Sequence, residues 1–307
     1  MTGVLIGFAI VGFIIAVGYV VGRTGFLGPQ AGFVLSRIVF FVLSPCLLFT
    51  VLARADIHLL FSSLFAVSAL SALASALVFL IVIRFFGRRS LSQKVVGALA
   101  SGYTNANNIG LPVAVYVIGN ATYVAPVILL QLIVFAPIAL TLLDISTHGS
   151  ASIRRILTQP IRNPLIIGSI LGVVVSATNT HLPAVVLQPF ALIGAATVPI
   201  VLMSFGMSLH GQRPLQPGPE RVDVVVASII KMIVMPLVAF VLARFVFGLT
   251  GVHLFAVIVL AALPTAQNVF NYAQRYRVSE TLARDAVLIT TIGAVPVLVV
   301  IAAFLGR

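Results

Sequence analysis

The sequence predicts an all-α membrane protein of ten transmembrane helices, arranged as two inverted five-helix repeats with broken fourth and ninth helices. Three observations carry this expectation. Hydrophobic residues make up 61% of the 307-residue chain, charged residues only 8%, and the mean hydropathy is +1.21, too apolar for an ordinary soluble domain. Two apolar segments are interrupted by polar stretches, one from Ser101 to Pro112 and one from Leu263 to Asn268. Basic residues are concentrated in every second loop.

A span needs about 20 apolar residues, so roughly ten fit the chain. Met1 to Gly22 has neither a positive n-region nor a small-residue cleavage site, and reads as the first span rather than a signal peptide. Hydropathy and breakers place the others at about Phe33 to Leu52, His58 to Phe86, Gln93 to Val117, Val124 to Leu143, Leu165 to Ala177, Val185 to Leu209, Val222 to Phe247, Phe255 to Tyr272 and Leu282 to Phe304. With the N-terminus outside, thirteen basic residues fall in inside loops (among them Arg84, Arg88, Arg89, Arg154, Arg155, Arg162 and Arg213). Three lie outside (Arg54, Arg244 and Arg307), and Arg37 and Lys231 lie within spans. The positive-inside rule then sets both termini outside a bacterial inner membrane. The same rule accounts for the formal charge of +12. No basic patch is interleaved with aromatics, so nucleic acid is not an expected partner. A single cysteine, Cys46, excludes an internal disulfide.

Equivalent positions recur along the chain. Pro45 and Pro199 are 154 apart, Arg84 and Arg244 160, Pro112 and Pro264 152, and Pro137 and Pro296 159. These offsets indicate a duplicated five-span unit, and because five is odd the second copy enters the membrane upside down. The expected division is 1–143 for the first repeat, 144–163 for a cytoplasmic linker and 164–307 for the inverted second repeat.

Lipid offers no partner to freed backbone groups, so a helix break survives only where protein or a wet cavity meets it. Paired breaks in two halves of a chain point to a carrier's binding site. In the first, Asn105, Asn107, Asn108, Gly110 and Pro112 stand together; in the second, Pro264, Thr265, Gln267 and Asn268 are followed by Asn271. Each second half-helix would start near the bilayer midplane with unsatisfied N–H groups. Pro112 and Pro264 suit its first turn, and Asn107, Asn108 and Thr265 are candidate caps. Two positive helix ends would converge on a small organic anion, most naturally a carboxylate. Asn105 and Asn268 are the foremost candidates to touch it, with Asn107, Asn108, Gln267 and Asn271 beside them, because an amide binds a carboxylate without placing a charge in the membrane. Gly110, Pro112, Pro264 and Thr265 are assigned to the breaks, and Pro45, Pro199 and Lys231 to supporting positions.

Tyr103-Thr104-Asn105 followed by Ile109-Gly110-Leu111-Pro112 resembles the fourth-span motif of the auxin efflux carrier family. Leu263-Pro264-Thr265-Ala266-Gln267-Asn268-Val269-Phe270, with Ala273-Gln274-Arg275-Tyr276 after it, is similar to the ninth-span motif of its bacterial members. Ser44-Pro45-Cys46-Leu47-Leu48-Phe49 and Val198-Pro199-Ile200 through Gly206-Met207-Ser208-Leu209 look like its second and seventh spans. The resemblance implies that the fourth and ninth helices cross at their breaks with the substrate pocket there. It also implies elevator-type alternating access, a homodimer formed through a scaffold half, and malonate-like dicarboxylate substrates. The long central loop of plant members is missing, which argues against plant-style regulation.

Charges in or near spans usually mark function. Lys231 is expected to snorkel or pair with an anion or with helix carbonyls, and Asp285 to form a surface pair or cap. Asp56, Asp144, Glu220, Asp223 and Glu280 fall at span ends or loops, so a proton or sodium ion as coupling ion is left open. His58, His148, His181, His210 and His253 form no metal-ligand spacing, and Gly-x-Ser-x-Gly and Walker motifs are missing. No metal, cofactor or enzymatic activity is therefore expected. The expected function is secondary active transport, with export the expected direction. A sodium-coupled symporter of the bile-acid type, an anion channel and a membrane sensor are the alternatives.

Overall fold

A computed structural model describes residues 2–28, 30–54, 63–148, 163–178, 180, 182–210 and 218–305. Asp56, His58, Arg154, Arg155, Arg162, His181, Arg213 and Arg307, and most of the expected linker, lie outside the described residues. The chain is mostly helical over these residues, and no β-strand forms among them. The helices are α1 (Thr2–Thr24), α2 (Ala31–Leu52), α3 (Ser63–Phe86), α4 (Leu91–Gly102), α5 (Ala106–Ile118), α6 (Ala121–Thr147), α7 (Pro164–Ala177), α8 (Ala184–Met207), α9 (Arg221–Val246), α10 (Gly251–Ala261), α11 (Gln267–Tyr276) and α12 (Glu280–Leu305). Among the described residues six are long and apolar enough to cross a membrane: α2, α3, α6, α8, α9 and α12. At 1.5 Å per residue, the 12 residues of α4 rise only about 18 Å and the 10 of α11 about 15 Å. Neither crosses a hydrocarbon core of about 30 Å without a partner segment.

Local chemistry sets the ends. Ser90 and Gln93 close a reciprocal capping box on α4: the Gln93 N–H donates to Ser90 Oγ (3.2 Å) and the Ser90 N–H to Gln93 Oε1 (2.9 Å). Asn163 accepts from the Leu165 N–H at 3.0 Å, and Pro164 occupies the first turn of α7, where its missing donor is not needed. α6 continues through Asp144 to Thr147. Inside the long helices, a widened π turn ends two residues before each of four prolines, at Val39–Leu43 before Pro45, Ala106–Gly110 before Pro112, Gln131–Phe135 before Pro137 and Ile230–Val234 before Pro236. A proline removes one helical bond and clashes with the carbonyl four residues back, and the wider turn absorbs both. Pro199 instead sits in the first turn after an interruption at Ala196.

Lipid removes the hydrophobic drive between spans, so close packing through small residues holds them together. A Cβ on Gly206 of α8 would collide with the Ile15 carbonyl oxygen and the Tyr19 nitrogen of α1, so the two backbones are in direct contact. α2 packs against α7 and α8, forming one group of helices with α1. A second group gathers α3, α4, α6, α9, α11 and α12, with α10 against α3, α9 and α12. The grouping therefore interleaves the two halves of the sequence.

The second group is tied together at one end. Arg89 makes a two-pronged contact with Asp223, both distances 2.9 Å. That hydrogen bond holds the guanidinium above its ordinary pKa. Glu220 accepts the Leu282 N–H at 3.0 Å, the Tyr276 hydroxyl donates to Asp144 at 2.7 Å, and the Ser92 N–H donates to Ser146 Oγ at 3.1 Å. Asp285, expected at the surface, is instead buried at 1% exposure and bonded by Arg284 at 2.8 Å. The reason is that its helix face packs inward, where a carboxylate needs a partner.

Candidate functional site

The chain leaves helical geometry at Tyr103–Asn105, between α4 and α5, and at Ala262–Ala266, between α10 and α11. The two interruptions lie antiparallel and supply each other's backbone partners. The Asn105 N–H donates to the Pro264 carbonyl at 2.8 Å, and the Ala266 N–H to the Tyr103 carbonyl at 2.9 Å. Thr104 and Thr265 face each other across this bridge. Two further groups at the breaks are also served: Thr265 Oγ1 donates to the Ala100 carbonyl at 2.6 Å, and the Thr265 N–H donates to Thr290 Oγ1 at 3.0 Å. A break this deep survives because its polar groups are satisfied internally.

The breaks correct several expectations. Gly110 and Pro112 lie inside α5, past its first turn, because the helix already restarts at Ala106. Gly110 serves close approach: a Cβ there would meet Leu263 Cδ1 and Val124 Cγ2, each at 2.9 Å. Pro264 and Thr265 lie in the second break, but Pro264 precedes the first turn of α11 and offers its carbonyl rather than a helical start. Asn107 and Asn108 are not caps. The cap of α5 is Asn105, whose side-chain oxygen accepts the Asn108 N–H at 3.2 Å, and this leaves the Asn105 amide protons as donors. Thr265 caps nothing either, since its hydroxyl turns back to α4 and α11 begins without a side-chain cap. Lys231 does not snorkel. It is fully buried, its ammonium donating to the Ala261 carbonyl at the end of α10 (2.7 Å) and to Met235 Sδ (3.0 Å). There it faces the negative end of a helix dipole, too deep for its stem to reach water.

A cavity of about 1070 Å³ opens beside the bridge. Asn105, Asn107, Asn108, Gln267, Asn268 and Asn271 all line it. Positions 267, 268, 271 and 272 share one face of α11, as helical spacing requires, and the uncapped start of that helix borders the same space. Asn107 Nδ2 donates to Asn108 Oδ1 at 2.9 Å, while Asn107 Oδ1 is buried without a partner among the described residues. No carboxylate lines the cavity among the described residues. Amide donors, helical N–H groups and no acid make a lining that suits an anion. Pro45, Pro199, Gly110, Pro112, Pro264, Thr265 and Lys231 stand outside the lining.

The lining also contains residues that sequence reasoning left aside: Tyr103, Thr104, Gln131, Ser204, Tyr272 and Arg37. Tyr103 and Tyr272 meet edge to face at 6.4 Å, bracketing the cavity from both broken helices. Of these only Arg37 carried a readable signal, an isolated charge within an apolar span.

Comparison with known proteins identifies a family. The profile of the family described as membrane transport protein matches residues 4–302. A "Putative malonate transporter" of Rhizobium meliloti (strain 1021) is 24% identical over 289 residues, covering 91% of this chain and 88% of that protein. An uncharacterized transporter of Methanocaldococcus jannaschii is 24% identical over 290 residues, 91% of each chain. Another, of Methanothermobacter thermautotrophicus, is 25% identical over 259 residues, 82% of each. The family and the transporter names of these relatives indicate a transporter and not an enzyme. With the profile spanning nearly the whole sequence, the chain belongs to the membrane transport protein family, the auxin efflux carrier family, and is a multi-pass membrane protein.

Proposed function

We propose that the protein is a secondary active transporter of a small organic anion, most naturally a short carboxylate, bound where the two helix breaks meet. The observation that carries this reading is a cavity without an acid among the described residues, lined by the six side-chain amides of the two breaks, by Gln131 and Asn163, and by the uncapped start of α11. Asn105 and Asn268 hold the carboxylate, helical N–H groups stabilise its charge, and Asn107, Asn108, Gln267 and Asn271 complete the polar wall. The relative named for malonate supports a small dicarboxylate.

In this reading α4 with α5 and α10 with α11 each make one span, giving ten spans as two inverted repeats, 1–143 and 164–307. The paired breaks and the recurring prolines support that division. Both termini then face outside a bacterial inner membrane, and the cavity, bordered by Gly25, Gly28 and His210, opens inward. The helices grouped around α1 and α8 form a scaffold and the site of homodimer contact. The group built around the breaks moves against it as an elevator. The Lys231 amine already occupies the carbonyl end of α10.

Counterflow of radiolabelled malonate in proteoliposomes, with imposed sodium, proton and voltage gradients, tests the reading. Saturable exchange that falls at least tenfold in both Asn105→Ala and Asn268→Ala, with folded protein retained, is the expected result. Full transport in both variants, or ion currents without exchange, would overturn it.

A further inference from the structure

Among the described residues Arg37 is the one side chain of fixed charge in the cavity lining, and it sits on α2, on the wall contributed by the other helix group. Its guanidinium lies over the Phe33 ring at 5.6 Å and the Phe41 ring at 5.4 Å. Phe33 and Phe41 stand four residues before and after it, so the three share one helix face. Such cation–π contacts engage the charge of a guanidinium without using its N–H donors. Among the described residues those donors have neither a hydrogen bond nor a carboxylate partner. Arginine in an apolar span is costly, and the two cation–π contacts leave its N–H donors unused.

We propose that Arg37 is a second anion anchor, which receives one carboxylate of a dicarboxylate while the other rests at the Asn105 and Asn268 end. This rests on the carboxylate-carrier reading and sharpens it: the site selects dianions over monoanions, and the two anchors belong to the two helix groups. A fork-to-carboxylate pair is two-pronged and charge-assisted, so its loss weakens a dianion without touching a monoanion.

The test is counterflow in phosphatidylcholine proteoliposomes with malonate and acetate as the two probes. In Arg37→Gln the malonate KM rises about 10- to 100-fold while the acetate KM stays within about twofold, and Arg37→Lys falls between. A second measurement needs no variant: in the unaltered protein, monomethyl malonate competes with malonate at least about tenfold more weakly than malonate itself. Equal KM shifts for both anions, no shift for either, or equal competition by the monoester would overturn the anchor and leave the carrier reading standing. An unaltered protein that moves neither anion overturns both. Unchanged malonate transport in Arg37→Gln assigns the guanidinium to lipid headgroup phosphate instead, and also overturns the anchor.

Discussion

Asn105 plays a structural part and is assigned a ligand-binding part, and one substitution separates them. Its side-chain oxygen caps α5 by accepting the Asn108 N–H at 3.2 Å. Asn105→Asp keeps that acceptor, because aspartate caps a helix as well as asparagine, so the capping contribution should change by less than about 0.5 kcal/mol, leaving only the cost of a carboxylate at this buried position on the cavity wall. Asn105→Ala deletes the cap and should cost about 1 kcal/mol. Transport should rank the two the other way. An aspartate about 5 Å from a bound carboxylate, at an effective dielectric constant of about 20, repels it by about 3 kcal/mol, or about two powers of ten in affinity. Asn105→Ala loses donors without adding repulsion, so its affinity should fall by about tenfold. Malonate counterflow paired with thermal unfolding in detergent measures both rankings. If Asn105→Asp transports within threefold of the unaltered protein, or if transport follows stability across the two variants, the capping role alone explains the residue and the ligand role is wrong.

Lys231→Met removes the donor that satisfies the Ala261 carbonyl. Unfolding followed with a thiol dye on Cys46 should show a loss of about 1–3 kcal/mol, the range for an orphaned buried acceptor; an unchanged melting temperature would mean that the ammonium contributes nothing net. Gly206→Ala drives a methyl into the backbone of α1 and should cost about 1–3 kcal/mol, whereas Gly12→Ala meets open space and should be neutral; equal melting temperatures would refute the close-contact account. Removing Arg89, Asp223 or both in a double-mutant cycle should give a coupling of about 1 kcal/mol, because the arginine is partly exposed; strict additivity would show the pair to be incidental.

The sequence by itself determined the class of the molecule, the positions of its helices to within a few residues, and the two regions where helices fail. These are local properties: apolar length fixes a membrane helix, and clustered asparagine, glycine and proline disfavour one. It did not determine where inside each region the helix fails. Gly110 and Pro112 look like breakers, yet α5 runs through both, because a π turn accommodates the proline and the real break at Tyr103–Asn105 is held by hydrogen bonds to Pro264 and Ala266, about 160 residues away. Nor could it say which helix's carbonyl meets Lys231 or place Arg37 in the same cavity lining as the amides. Those depend on which helix faces meet, and in a bilayer that is decided by backbone contacts such as Gly206 against Ile15 and by the need of every buried polar group for a partner, neither of which is written in any single stretch of chain.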